Sequence, residues 1–275
     1  RFGNRVPQLS FEVFRPAEER SDADAEDLAH LVKGVAMIPG SGEYVLATSP
    51  VFVSEGFGRR TSVNLNSPSG QSDFLTSLDA LDEELPNCRS VSLVVSWFGD
   101  DLRCGTCTIR PKVEQRDVDA VDMPWRVGPV SRHGAMTVPR VGDRPVYGGT
   151  PTDASVAEAI AALRAAGKSV VYYPFILMDQ IAGNGLPDPH SGASDQPALP
   201  WRGRITLDIA PGREGSADRT AAADAQVAAF FGTAGTGDFP RRDGRRDYDG
   251  PEEWSYRRFV LHQAHLCADA GGVDA

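Results

Sequence analysis

Val91-Ser92-Leu93-Val94-Val95-Ser96-Trp97-Phe98 and Val170-Val171-Tyr172-Tyr173-Pro174-Phe175-Ile176-Leu177 are the two stretches that decide how this chain is read. Both are short, mostly apolar and rich in β-branched or aromatic residues. That is the pattern of a strand buried on both faces of a parallel sheet. Each is entered abruptly from a helical pattern. Ser72 can cap a helix whose apolar stripe is Phe74, Leu78, Leu81 and Leu85, and Pro86 ends it. Thr152 can cap a second helix carrying Val156, Ile160 and Leu163, with Gly167 placed for a left-handed C-terminal residue. Two successive helix-then-strand units predict two parallel strands, over about 91–98 and 170–177. Pro174 cannot donate a ladder hydrogen bond, so a bulge or a strand end is expected there.

Upstream of Ser67 no helix of useful length fits. Val6 to Phe14 alternates, with Leu9, Phe11 and Val13 on one face, and Glu18 to Asp27 reads as an acidic loop. Gly34–Ile38 and Tyr44–Ala47, around Pro39-Gly40-Ser41-Gly42, are expected to form a hairpin. Val51–Val53 and Thr61–Leu65 are short strand candidates. Downstream, helices are expected over about 217–231 and from Pro251 to Gly271-Gly272. The helix-to-strand links are short. The strand-to-helix links run to about fifty residues after Phe98 and about forty after Leu177, far beyond ordinary loops. In parallel α/β folds such segments build the working face. These contain Trp125 and the run Trp201-Arg202-Gly203-Arg204, residue types that suit interface hot spots and sugar stacking alike. Arg1 is not a starting Met, and a third strand is expected where the chain stops at Ala275. The expectation is therefore of a longer chain, or of a neighbour that completes this one.

Composition narrows the function classes. The chain has 275 residues, 41% hydrophobic, enough for a sizeable core. Lys and Arg number 28 against 38 for Asp and Glu, a net charge of −10, which argues against direct nucleic-acid binding. No apolar run approaches the roughly 20 residues of a membrane span. Cys104-Gly105-Thr106-Cys107 has half the spacing of a zinc site, but no second pair follows, so reduced thiols or a local disulfide are expected. Cys88 and Cys267 read as small core residues.

Several stretches carry a family likeness: Asn4 to Val13 (NRVPQLSFEV), Ile38 to Tyr44 (IPGSGEY), Asn66 to Asp73 (NSPSGQSD), Val95 to Cys104 (VSWFGDDLRC) and Tyr173 to Met178 (YPFILM). Through them the chain resembles, essentially end to end, the large tail-tip "megatron" proteins of alphaproteobacterial gene transfer agents, also described as host-specificity or baseplate proteins. The resemblance implies an α/β plus all-β organisation: a β-rich hub-associated attachment segment over 1–66, then the first part of a glycosidase-like TIM (β/α) barrel over 67–275. It implies a structural component of a virus-like particle that contacts the recipient surface during DNA delivery, located at the tail tip. A homotrimer beside hub, distal-tail and cell-wall-peptidase proteins is implied as well, with surface polysaccharide as a ligand of the barrel. The alternative is an active glycoside hydrolase degrading polysaccharide or peptidoglycan.

A glycosidase needs two carboxyl groups flanking the scissile bond, which barrel enzymes draw from later strands. No catalytic residue is therefore assigned. Candidate carbohydrate or interface contacts are Trp97, Asp100 and Asp101 beside the first strand, Asp179 and Gln180 after the second, and Trp201 in the following loop. Asp after a strand also serves simply to form turns. His262 and His265 lie three apart on the last helix without a third ligand, so no metal is expected. No cofactor motif occurs: Gly183-Asn184-Gly185 is a turn and not a dinucleotide fingerprint. Arg241-Arg242 and Arg245-Arg246 alternate with Asp238, Asp243, Asp247 and Asp249, which suits a solvated loop or an ion-pair patch between subunits.

Overall fold

The computed structural model describes residues 27–275 except Ser41, Phe57 and Asp243. The expected strand over 6–14 and most of the acidic loop lie outside the described residues. The sheet is built from β1 (Gly34–Met37), β4 (Ser90–Gly99) and β6 (Ser169–Met178), all parallel, in the order β1-β4-β6. The two-residue strand β5 (Ile109–Arg110) returns antiparallel along the end of β4. β2 (Phe52–Gly56) and β3 (Arg59–Ser62) form a separate antiparallel pair. The remaining ladders, such as Lys112–Val113 with Met136–Thr137, are two residues long.

This corrects the expectation of a TIM barrel. Among the described residues the sheet has three parallel strands, is open beyond β1 and β6, and does not close. The other strands sit in five small sheets instead of extending it. The expected hairpin across residues 34–47 is also replaced. Gly34–Met37 pairs with Ser90–Leu93, whereas residues 43–46 form turns closed by a bond from the Ala47 amide to the Tyr44 carbonyl. Tyr44, Leu46 and Ala47 turn inward and are buried, which a solvent-faced hairpin arm would not allow.

Over most of their length the long strands are more deeply buried on one face than on the other. Along β4, Val91, Leu93, Val95 and Trp97 are buried while Ser92, Val94 and Ser96 are half-exposed. The four-residue α1 (Leu28–Leu31) buries no residue; the buried face of β4 packs against α2 (Asp73–Glu84) through Phe74 and Leu78, and against α3 (Asp153–Ala165) through Val156, Ile160 and Leu163. Leu266 and Cys267 of α5 (Tyr256–Ala270) pack against the same cluster. The expectation of burial on both faces fails over Ser92–Ser96, where no helix among the described residues packs on the opposite face; Phe98, farther along that face, is buried. Ser92 and Ser96 are the residues that tolerate this.

Pro174 lies opposite Val95 in an unbroken register from Ser169 to Met178, with no bulge. Backbone parity explains it. The Tyr172 amide donates outward, to the carbonyl of Ala275, and the Asp179 amide donates inward, to Gly99. Residue 174 shares the parity of 172, so the donor that proline lacks would have faced the open edge.

Helix ends follow local chemistry. The Ser72 hydroxyl accepts from the Leu75 amide at 3.3 Å, and the Ser255 hydroxyl accepts from Arg258 at 3.1 Å, so α5 starts at Ser255 and not near Pro251. Thr152 precedes α3, but its hydroxyl donates to the Arg126 carbonyl at 2.9 Å and accepts from the Arg126 amide at 3.1 Å, tying the helix start to a loop.

Candidate functional site

The segments after β4 and β6 meet at the C-terminal ends of the strands, and four of the sequence-selected residues meet with them. Asp100 accepts from the Thr108 amide at 2.7 Å and from its hydroxyl at 2.5 Å. Asp101, 4% exposed, accepts from the Arg103 amide (2.8 Å), the Arg103 guanidinium (3.1 and 2.7 Å), the Thr106 hydroxyl (2.8 Å) and the Gln196 amide (2.6 Å). Burial raises its pKa, but the bonds from Arg103, Gln196 and Thr106 prevail and hold it below the usual carboxylate range. Asp179 forms an ion pair with Lys112 at 2.6 Å, and both are buried. There burial dominates and lifts the carboxyl above its ordinary value despite Lys112. Gln180 donates to Gln196 Oε1 at 3.1 Å, while its own Oε1 is buried without a partner.

The other two residues lie elsewhere. Trp97 is on the helix-covered face of β4, buried against Phe259 (ring centroids 5.4 Å), Trp254 (6.3 Å) and His262 (5.1 Å). Trp201 is 67% exposed, with its ring folded over Gly203, where a Cβ would come within 2.4 Å of the indole. Trp97 and Trp201 therefore do not join the aspartates in one cluster. Both oxygens of Asp100 and Asp101, and Oδ2 of Asp179, accept from the chain's own donors, which makes these residues braces of the two loops.

Sequence reading missed a buried arginine-centred unit. Arg132 is 2% exposed, donates to Glu43 Oε1 (3.1 Å) and Oε2 (2.7 Å), to Asp119 Oδ1 (2.8 Å), to the Gln115 carbonyl (2.8 Å) and to the Tyr44 hydroxyl (3.0 Å). Burial works against the Arg132 charge, yet the bonds to Glu43 and Asp119 keep its pKa above the ordinary value. This unit joins the turn at 43–46 to the loop after β4 and forms one wall of a polar cleft of about 1500 Å³ that also borders β2, β3 and the start of α2. No spacing rule links positions 43, 119 and 132, so nothing in the sequence marks the unit.

A second hollow is apolar. About 480 Å³ in volume, it lies beside β6, between the Arg202–Arg204 turn and the helices α4 (Ala221–Phe231) and α5. Tyr173, Val227, Phe231 and Val260 line it and are each 40–43% exposed. The Arg202 guanidinium lies 3.9 Å from the Phe175 ring centroid and donates to the Tyr173 hydroxyl at 3.0 Å. Such a cluster of aromatic, aliphatic and arginine side chains at the surface has the chemistry of a protein contact.

The four cysteines are free thiols. Among the described residues no group of His, Cys, Asp and Glu could hold a metal ion, and His262 is engaged by Asp153 at 3.1 Å. Arg242 and Arg246 pair with Asp249 (2.5 Å) and Asp269 (3.1 Å) of the same chain. No helix among the described residues is long and apolar enough to cross a membrane. No protein-family model matches the chain, and no curated protein matches it.

Proposed function

We propose that the chain is a structural tail-tip or baseplate component of a phage-like gene transfer agent particle, in contact with the recipient cell surface during DNA delivery. The observation that carries this reading is a contrast. The aspartates at the strand ends accept from donors of the chain itself, whereas apolar and arginine side chains are gathered at the surface beside β6. Work by contact rather than by reaction is what that distribution suits. The sequence resemblance supplies the particular setting, with a homotrimeric arrangement and hub, distal-tail and peptidase neighbours. Surface polysaccharide is the ligand class to test first.

Particles produced without this protein are expected to lack an intact baseplate and to deliver no DNA. Intact baseplates with normal delivery overturn the reading. The hydrolase alternative requires two carboxyl groups about 5–9 Å apart facing a substrate. Reducing-sugar release from recipient envelope material would favour that alternative.

A further inference from the structure

Asn184-Gly185, in the loop after β6, is among the residue pairs most open to spontaneous deamidation, because a glycine leaves its amide nitrogen unhindered beside the asparagine Cγ. The loop needs the pair all the same. Gly185 has φ +67°, a left-handed conformation that side chains resist. Asn184 supplies donors and acceptors at once. Its Nδ2 donates to the Ile181 and Gln196 carbonyls, both at 2.8 Å. Its Oδ1 accepts from the Leu186 amide at 2.9 Å and from the Gln196 amide at 3.1 Å. Both hydrogens of the side-chain amide and both lone pairs of its oxygen are thus in use.

The same bonds oppose the reaction. In it the Gly185 nitrogen attacks Cγ of Asn184 and forms a C–N bond. The Cγ–Nδ2 bond breaks, and Nδ2 leaves as ammonia with the proton that Gly185 gave up. Water then opens the cyclic imide to aspartate or isoaspartate. To begin, the Gly185 amide must release Asp195 Oδ1, to which it donates at 2.7 Å, and the Asn184 amide must turn out of its four bonds. The Asp195 carboxylate also disfavours the deprotonated, attacking form of that nitrogen, since the two would carry like charge.

We propose that Asn184 is a latent deamidation site, locked while this loop is folded, and that its conversion to aspartate irreversibly unlatches the loop. This goes beyond the assembly reading and does not rest on it. Aspartate has no donor for the Ile181 and Gln196 carbonyls, so an oxygen would face each of them. Gln196, which Asn184 holds by its backbone, spans the two strand-end loops. Its Oε1 accepts from the Leu102 amide at 2.9 Å, and its Nε2 donates to Asp101 at 2.6 Å. Loss of one side-chain amide in the loop after β6 is thereby felt in the loop after β4.

The test incubates the folded chain and the chain unfolded in urea at one mildly alkaline pH and one temperature, and follows the peptide containing Asn184 by mass spectrometry. Deamidation of Asn184 is expected to be at least about tenfold slower in the folded chain. Asp195→Ala, at an exposed position, is expected to raise the folded-state rate about fivefold, the worth of one ordinary hydrogen bond. Asn184→Asp is expected to speed hydrogen exchange at the Leu102 amide at least about tenfold while exchange in α3 stays as in the unchanged chain. Equal deamidation in the folded and the unfolded chain overturns the lock. An Asn184→Asp variant with unchanged exchange at Leu102, or with acceleration spread over the whole chain, overturns the latch.

Discussion

Lys112 and Asp179 meet at 2.6 Å in an ion pair whose side chains are 6% and 5% exposed, joining the loop after β4 to the end of β6. Neither charge has water to fall back on. The raised pKa of Asp179 shows that its ionised form is less well accommodated here than in water, even beside Lys112. Lys112→Met is therefore expected to cost about 3–5 kcal/mol, because it leaves a buried carboxylate alone. The double change Lys112→Met with Asp179→Leu is expected to recover most of that loss. Urea denaturation of the three proteins checks it, and a double variant as unstable as the single one would contradict the account.

Arg132 tests the second buried unit. Its guanidinium uses three nitrogens to reach Glu43, Asp119, Gln115 and Tyr44. Arg132→Met is expected to destabilise by about 3–5 kcal/mol through the stranded Glu43 carboxylate. Arg132→Lys is expected to recover little, since an ammonium cannot fork onto a carboxylate and reach Asp119 as well. Thermal unfolding of both variants decides this, and near-normal behaviour of the lysine variant would count against it.

Acid should loosen the start of α5. Burial of Glu253 would raise its pKa, but the Ser255 hydroxyl and the Thr233 and Ala234 amides prevail and bring it from 4.5 to about 2. A depressed carboxylate contributes stability above its unfolded pKa and loses it as pH falls through the folded one. The loss therefore falls between pH 4.5 and about 2. Glu253→Gln is expected to be less stable at pH 7 and to show a flatter decline across that window. Denaturation midpoints measured from pH 7 to pH 2 give the comparison, and parallel curves would refute it.

Thiol chemistry gives a fourth test. Burial pushes the Cys107 thiol up to about 12, and Cys267 to about 11, so neither presents much thiolate at pH 8. Maleimide is expected to leave Cys107 unmodified in the folded protein and to label it in urea, as read by peptide mass spectrometry. Rapid labelling of the folded protein would show that the loop around Cys104–Cys107 opens.

The parts of the fold legible in the sequence were those written in local patterns. The stripe Phe74, Leu78 and Leu81 sits in α2, and Val156, Ile160 and Leu163 in α3, because helix period and cap residues are neighbours along the chain. The apolar runs at 91–98 and 170–177 fall within β4 and β6 for the same reason. The turn at 43–46 was misread because burial of Tyr44 depends on Arg132 and Asp119, far along the chain. Candidate residues fared similarly. Asp100, Asp101, Asp179 and Gln180 were placed near one another by their positions after strands, but their partners Thr108, Lys112 and Gln196 lie in loops whose paths no spacing encodes.

By itself the sequence determined the helices α2 and α3 and the apolar runs that become β4 and β6, since propensity, capping and apolar periodicity act over a few residues. The tertiary structure alone decided three matters. Among the described residues the parallel sheet does not close, the strand-end carboxylates accept from the chain's own donors, and an apolar groove borders β6. The physical reason is range. Burial, ion pairing and edge pairing are set by which distant groups arrive within a few ångströms, and residue order near a site does not specify that.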